Sequence, residues 1–198
     1  YVVTKVARFP FDKFSEASNE LGTQMKATGE VMSIGRTLEE SLLKAMRSLE
    51  AGCCHIHKKK FDEWTEEELL KYICTPTDDR IHAIAQLLRL RIDLSRIYDR
   101  TKIDMLFLDK ISNIINMERK LSAAPFDKEV VLEAKKLGFS DKFIGQLWGR
   151  TEKEMIEWRW QHGIRPSYKF IDSCAAQHDA DAPYFYSTYE QENESAVS

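Results

Sequence analysis

The chain has 198 residues, enough for one large domain or two small ones, and its 43% apolar and 31% charged residues are ordinary for a globular protein with a working core. A net charge of −3 and a pI of about 6.0 exclude the basic excess that nucleic acid or anionic lipid would require, and the apolar runs are too short for a transmembrane helix. Four cysteines, two of them adjacent at Cys53 and Cys54, do not make a secreted disulfide framework, so with no signal-peptide pattern a cytoplasmic setting with reduced thiols is expected.

Tyr1 to Val6 is rich in β-formers, and Phe9-Pro10-Phe11 breaks the run because proline cannot donate to a ladder. The opening YVVTK lies inside a strand pattern without an initiator Met, so the chain reads as a piece of something longer. Residues 12–21 are polar and turn-like. From Met25 to Ile34 polar and apolar residues alternate around Gly29, which predicts two extended runs pinched at that glycine. Thr37 with Glu40 forms a capping box for a helix whose apolar face is Leu38, Leu42, Met46 and Leu49. Residues 1–52 are thus a small α+β unit without a complete sheet of its own.

From Trp64 to Ile164 the pattern is helical, with short connections, and predicts an all-α bundle. Thr65 and Glu68 box the first helix, which Pro76 closes, and Asp78 or Asp79 starts the second. A short helix around Leu94, Ile97 and Tyr98 leads to Thr101, which with Asp104 is expected to cap the longest helix. That helix carries Ile103, Leu106, Phe107, Ile111, Ile114, Ile115 and Leu121 as its apolar face. Asp127 starts another, ending at Gly138, and the segments from Ser140 to Gly149 and from Thr151 to Gly163 each open on a hydroxyl and close on glycine. Strand-like alternation returns at Tyr168 to Ser173 and Tyr184 to Tyr189, before an acidic tail expected to fray.

Candidate chemistry is sparse. Cys53, Cys54, His55 and His57 bring soft-metal ligands together, but adjacent cysteines do not readily reach one ion, and a Cys- and His-containing linker is the plainer reading. Lys58 to Lys60 reads as a solvated run. The pair of helices over residues 140–163 has helix-turn-helix spacing, yet Glu152, Glu154 and Glu157 make the second helix net negative where phosphates would lie, so Phe143, Ile144, Leu147, Trp148, Met155 and Trp158 read as core. His82, His162 and His178 have no Ser or Cys tied to them by spacing, and there is no glycine-rich phosphate loop. Glu30 stands in an otherwise apolar alternating run, GEVMSI, where a carboxylate faces solvent or lines a polar interior surface; pattern alone favours solvent.

Three separated segments carry a resemblance. TQMKATGEVMSIGRTLEESLLKAMRSLE, the preceding YVVTKVARFPFDKF, and FSDKFIGQLWGRTEKEMIEWRWQHGIRPSYKFIDSCAAQHDADAPYFYSTYEQE closely resemble, in order, the carbamoyl-phosphate synthase large chain. The match runs from the end of its first, carboxyphosphate-forming ATP-grasp domain through its oligomerisation or connection domain. The resemblance implies a mainly α fold: residues 1–52 completing an ATP-grasp domain, 53–182 an all-α connection domain, and 183–198 a linker strand and polar tail. It implies a ligase that makes carbamoyl phosphate from bicarbonate, glutamine-derived ammonia and two ATP for arginine and pyrimidine biosynthesis. The magnesium and nucleotide carboxylates of the family lie N-terminal to Tyr1, so Mg-ATP binding belongs to the full-length enzyme, and neither catalytic residues nor activity are expected of this piece. Glu30 matches the Glu that lines the family's interior carbamate passage, with Met25 beside it as a weaker candidate; strand packing for Met25 and contacts at the helix start for Arg36 are the structural expectations. Implied partners are a small glutaminase subunit, the second synthetase half and further copies of the chain, with no nucleic acid and no membrane. The rival class is a freestanding helical interaction module, including a helix-turn-helix nucleic-acid binder.

Overall fold

The computed structural model describes residues 1–11, 13, 16–49, 52–171 and 184–195. Part of the expected turn over residues 12–21, Ala51, the end of the expected Tyr168 to Ser173 alternation, the expected boundary at 182/183 and His178 lie outside the described residues. The chain is mainly helical, with a small α+β piece at its start, as the sequence indicates. It divides into two compact units, Tyr1–Thr4 with Ser33–Lys44 and Lys120–Ser198, and Lys5–Met32 with Ala45–Arg119.

β-Branched residues draw the N-terminus into β1 (Val2–Arg8), which pairs with β2 (Gly29–Gly35) in a two-stranded sheet. The expected pinch at Gly29 is corrected: Gly29 opens β2, the partner is β1, and residues 21–28 form the loop that precedes it. The alternation ahead of Gly29 is too short to pair by itself, and Met25, expected to pack in a strand, is 94% exposed in that loop. Helix α1 (Leu38–Ser48) follows, and it is buried on more than one side, through Glu39, Glu40, Ser41, Leu43, Ala45 and Met46, rather than along the single stripe the spacing suggests.

In the second unit a short 3-10 turn at Lys59–Phe61 precedes α2 (Glu66–Tyr72), whose capping box between Thr65 and Glu68 is complete. Phe61, Trp64 and Tyr72 form a mutual aromatic cluster with centroids 5.1 to 5.4 Å apart. Helices α3 (Arg80–Arg89), α4 (Leu94–Thr101) and α5 (Met105–Ala123) follow. The expected Thr101 cap is corrected. Lys102 takes a left-handed backbone, φ 55°, which ends α4 at Thr101, and the Asp104 carboxylate then caps α5 by accepting from the Leu106 N–H at 2.8 Å. The core face of α5 is Leu108, Ile111, Ile114, Ile115, Met117 and Leu121, while Leu106 and Phe107 point outward, contrary to the sequence expectation.

The first unit contains α6 (Lys128–Lys136), α7 (Asp141–Trp148) and α8 (Glu152–Gln161), capped by Asp127, Ser140 and a full Thr151–Glu154 box. Strands β3 (Ser167–Ile171) and β4 (Tyr184–Thr188) pair antiparallel, with Ser167 opposite Thr188 and Ile171 opposite Tyr184. The tail does not fray over its described part, residues 190–195. Asn193 Oδ1 accepts from the Tyr168 N–H at 2.8 Å, Glu194 Oε2 accepts from the Phe170 N–H at 2.8 Å, and the Glu194 N–H donates to the Tyr168 carbonyl at 2.8 Å. The edge of β3 left open by β4 offers those groups, and the tail covers them. Gly138 has φ +90°, and a Cβ there would lie 2.8 Å from Glu40 Cα. Gly138→Ala is therefore expected to lose at least about 2 kcal/mol in urea unfolding, from left-handed strain plus a backbone clash; a change within about 0.5 kcal/mol would show that this loop relaxes freely.

Candidate functional site

Glu30 is the second residue of β2, with Lys5 of β1 as its cross-strand partner at 2.8 Å; their side chains are 58% and 60% exposed. Such a pair in water contributes at most about 1 kcal/mol, so it does not explain a carboxylate placed in an apolar strand run. Along β1 the outward residues are Val3 and Lys5, and along β2 they are Glu30 and Met32. Val3 and Met32 are large exposed apolar side chains on strands of a two-stranded sheet, an arrangement that is marginal unless something covers it. Met25 shares the loop side of this strand but has no packing, and Arg36 acts where expected, at the start of α1, through its backbone N–H to Glu40 Oε2 at 2.6 Å.

The expected Thr37–Glu40 box is only half made: the Glu40 carboxylate takes the Arg36 N–H rather than that of Thr37. Thr37 Oγ1 accepts from the Glu40 N–H at 3.2 Å, while the buried Glu40 side chain pairs with Lys44 at 2.9 Å and accepts from Thr188 Oγ1 at 3.2 Å. Lys44 Nζ in turn donates to the carbonyls of Ile34 at 2.9 Å and Ser187 at 2.5 Å. Ser33 Oγ donates to the Ser41 carbonyl, and Thr4 and Ser41 share a hydroxyl hydrogen bond, both at 2.5 Å. A Cβ at Gly35 would sit 2.8 Å from the Ser41 N, so the GRT run supplies the room α1 needs against β2. This buried polar hub is satisfied and reads as architecture.

In the second unit the Cys and His cluster separates. His55 is buried with Nε2 2.8 Å from Glu118 Oε1, and His57 reaches Asp62 at 2.7 Å. Burial pushes His55 below its ordinary pKa, so the ring is neutral and donates to Glu118, whose charge is matched by Arg89 through a two-pronged contact of 2.8 and 2.7 Å. Burial acts to raise the Glu118 carboxyl, but the His55 and Arg89 donors hold it below the usual range. Asp79 likewise leaves its capping position unused; burial opposes its ionisation, yet Lys60, the Tyr72 hydroxyl at 2.6 Å and Lys58 bring it to about 2. Burial lowers His82 to about 3, and its Nδ1 is enclosed without a protein hydrogen-bond partner. Among the described residues no group of three or more His, Cys, Asp and Glu side chains is arranged to hold a metal ion, and no helix is long and apolar enough to cross a membrane.

In the first unit Asp141, Lys135 and Arg159 are all buried together. Arg159 contacts both Asp141 oxygens, Nη2 at 3.0 Å to one and Nε at 3.1 Å to the other, and Lys135 Nζ donates to Asp141 Oδ1 at 3.1 Å, with the Tyr189 ring over both cations. Arg159 Nη1 also takes the Ile164 carbonyl. Helices α7 and α8 are thus locked by an internal ion cluster and by Ile144 and Met155 in the core, while Glu152, Glu154 and Glu157 remain on the exposed side of α8. That surface repels phosphate rather than gripping it.

Sequence reasoning singled out Glu30 but missed Lys5, Lys44 and the Asp141 cluster. Lys44 was findable as the i+4 partner of Glu40, and Lys5 from an opposite charge on the paired strand. Asp141 and Arg159, separated by the α7–α8 turn, had no local signal. A family model described as the carbamoyl-phosphate synthetase large chain, oligomerisation domain, matches residues 30–163.

Proposed function

The chain belongs to the family of the carbamoyl-phosphate synthetase large chain, oligomerisation domain, and from that premise we propose that it is a scaffold and passage segment of a ligase whose catalytic centres lie in the rest of the large chain. The match over residues 30–163 carries this reading. In the proposal residues 1–52 close the first ATP-grasp domain, 53–182 form the connection domain that supports subunit association, and 183–198 lead towards the second synthetase half. The exposed Val3 on β1 and Met32 on β2 support the first part, because such apolar strand residues suit cover by a larger sheet or neighbouring domain. Bicarbonate, ammonia from a glutaminase subunit and two Mg-ATP would be handled outside this chain, and the segment alone would turn nothing over.

In this reading Glu30 lines the route along which carbamate travels between the two synthetase centres, with Met25 on its approach. Carbamate is an unstable anion that must be kept from bulk water. The Lys5–Glu30 pair supplies a polar wall without net charge, so it neither traps nor repels the anion. In the full-length enzyme Glu30→Ala is expected to raise the number of ATP hydrolysed per carbamoyl phosphate formed, with bicarbonate-dependent ATP hydrolysis retained. The exposed position makes a folding defect a small concern, and an unchanged ratio would make Glu30 a surface residue only.

A further inference from the structure

We propose that Arg89 Nη1 and His82 Nδ1 are the donors of a buried site for a small monovalent inorganic anion, enclosed between α3 and the segment over residues 55–58. Both atoms are shut off from solvent without a protein hydrogen-bond partner, and among the described residues no other side-chain nitrogen or oxygen is left in that condition. Folded chains pair nearly all such groups, so each orphan marks a missing partner. His82 is only 3% exposed. The other guanidinium nitrogens are committed: Nε and Nη2 of Arg89 hold the Glu118 carboxylate at 2.8 and 2.7 Å, and Nη2 also donates to the Ile56 carbonyl at 2.9 Å. The planar fork therefore turns Nη1 away from that carboxylate. His82 and Arg89 stand two turns apart on one face of α3, and Ala85 between them contributes only a methyl group. Long helical side chains lean towards the N-terminus, which carries the guanidinium back over Ala85, and its charge reaches His82. The 55–58 segment closes this face at both ends, through Ile56 on Arg89 and through Lys58 Nζ at 3.4 Å from Asp79, the residue before α3.

The surrounding charges identify the occupant. Of the groups that reach His82, Lys58, Arg89 and His57 oppose a positive charge there and only Asp79 favours one. Asp79 is itself already taken by Lys60 and by the Tyr72 hydroxyl at 2.6 Å, and Glu118 lies on the committed side of Arg89. The enclosed space is therefore electropositive. A guanidinium N–H and a neutral imidazole in its Nδ1–H form offer it two donors and no acceptor. A metal cation is repelled there. A bridging water accepts from both donors but brings no charge to offset the field, whereas a monoanion does both. Two donors above one methyl group suit an ion the size of a halide; a phosphate would need further donors for its remaining oxygens.

The test is urea unfolding of the chain and of His82→Leu at neutral pH, with sodium gluconate exchanged stepwise for sodium chloride or bromide at a constant ionic strength of about 0.15 M. Gluconate is too large to enter the site, and in it the two chains are expected to have similar stability. The folded-to-unfolded ratio of the parent should rise with halide in a saturating way, about tenfold at ten times the half-saturating concentration, while His82→Leu shows no such rise. Crystals of the parent soaked in bromide give a measurement that depends on no variant. An anomalous signal within hydrogen-bond distance of both Arg89 Nη1 and His82 Nδ1 is the expected result. Water density bridging the two atoms with no bromide signal makes this a hydration site and overturns the proposal. An equal halide response in parent and His82→Leu, which is a general salt effect, overturns it too, as does a parent stability indifferent to halide.

Discussion

Asp141→Ala is expected to destabilise the chain by about 3–5 kcal/mol, because it leaves two buried cations facing one another with no carboxylate between them. Lys135 and Arg159 have side chains only 7% exposed, so water cannot replace the lost partner without opening the packing of α6, α7 and α8. For a chain of this size about 1 kcal/mol corresponds to roughly 2–4 °C, so the midpoint should fall by about 10 °C. Asp141→Asn keeps the volume and one acceptor and should fall between the two. The cost belongs to the unpaired charges rather than to the intrinsic strength of the ion pairs, which a further variant separates. Replacing Asp141, Lys135 and Arg159 together with Leu, Met and Met should recover much of the loss, since an apolar cluster of similar volume has no charge to desolvate. Urea unfolding of the three variants measures this. An Asp141→Ala chain within about 1 kcal/mol of the parent would mean the cluster is hydrated in solution.

The contrast between what could and could not be read follows the range of each interaction. Thr65 with Glu68, Asp127, Ser140 and Thr151 with Glu154 all cap as their spacing indicates, because a cap is a contact between residues three or fewer apart. Gly138, Gly149 and Gly163 end helices with positive φ for the same local reason. Lys102 and Phe126 have positive φ as well, but neither residue type announces it, so the start of α5 was misplaced. The docking of Asn193 and Glu194 on β3 joins residues about 25 apart, and composition suggested only a loose acidic tail. His55, Arg89 and Glu118 come from a loop and two helices far apart in sequence, and nothing in CCHIH, read as a linker, foretold a histidine held by a buried carboxylate. The candidate site shows the limit most clearly. Pattern alone put Glu30 in solvent, and in this chain it is exposed beside Lys5; a passage role for it rests on the family resemblance alone and belongs to the proposal.

Acid is expected to destabilise the second unit from pH about 6.5 downward, well above the range in which carboxylates titrate. His82 is held neutral in the folded chain, with burial bringing its pKa from 6.5 to about 3 and the charges of Lys58, Arg89 and His57 opposing its cation while Asp79 favours it. The sign follows from proton binding. The unfolded chain takes up a proton on this ring below its ordinary pKa and the folded chain does not, so stability is full above that value and is lost as pH falls towards the folded pKa. Each pH unit in that window removes up to about 1.4 kcal/mol, so from pH 6.5 to 4.5 His82 alone accounts for about 2–3 kcal/mol. His55, lowered in the same direction by burial, adds to the slope. Asp79, at about 2, contributes in the same sense only below its ordinary value of 3.8. His82→Leu discriminates this account from general acid unfolding. Because Nδ1 has no protein partner, the substitution sacrifices no hydrogen bond there and should leave stability at pH 7 within about 1 kcal/mol of the parent, while the slope of unfolding free energy between pH 6.5 and 4.5 falls by close to one proton. Urea titrations at half-unit pH intervals measure both quantities, and an unchanged slope in His82→Leu would place the acid sensitivity on other groups.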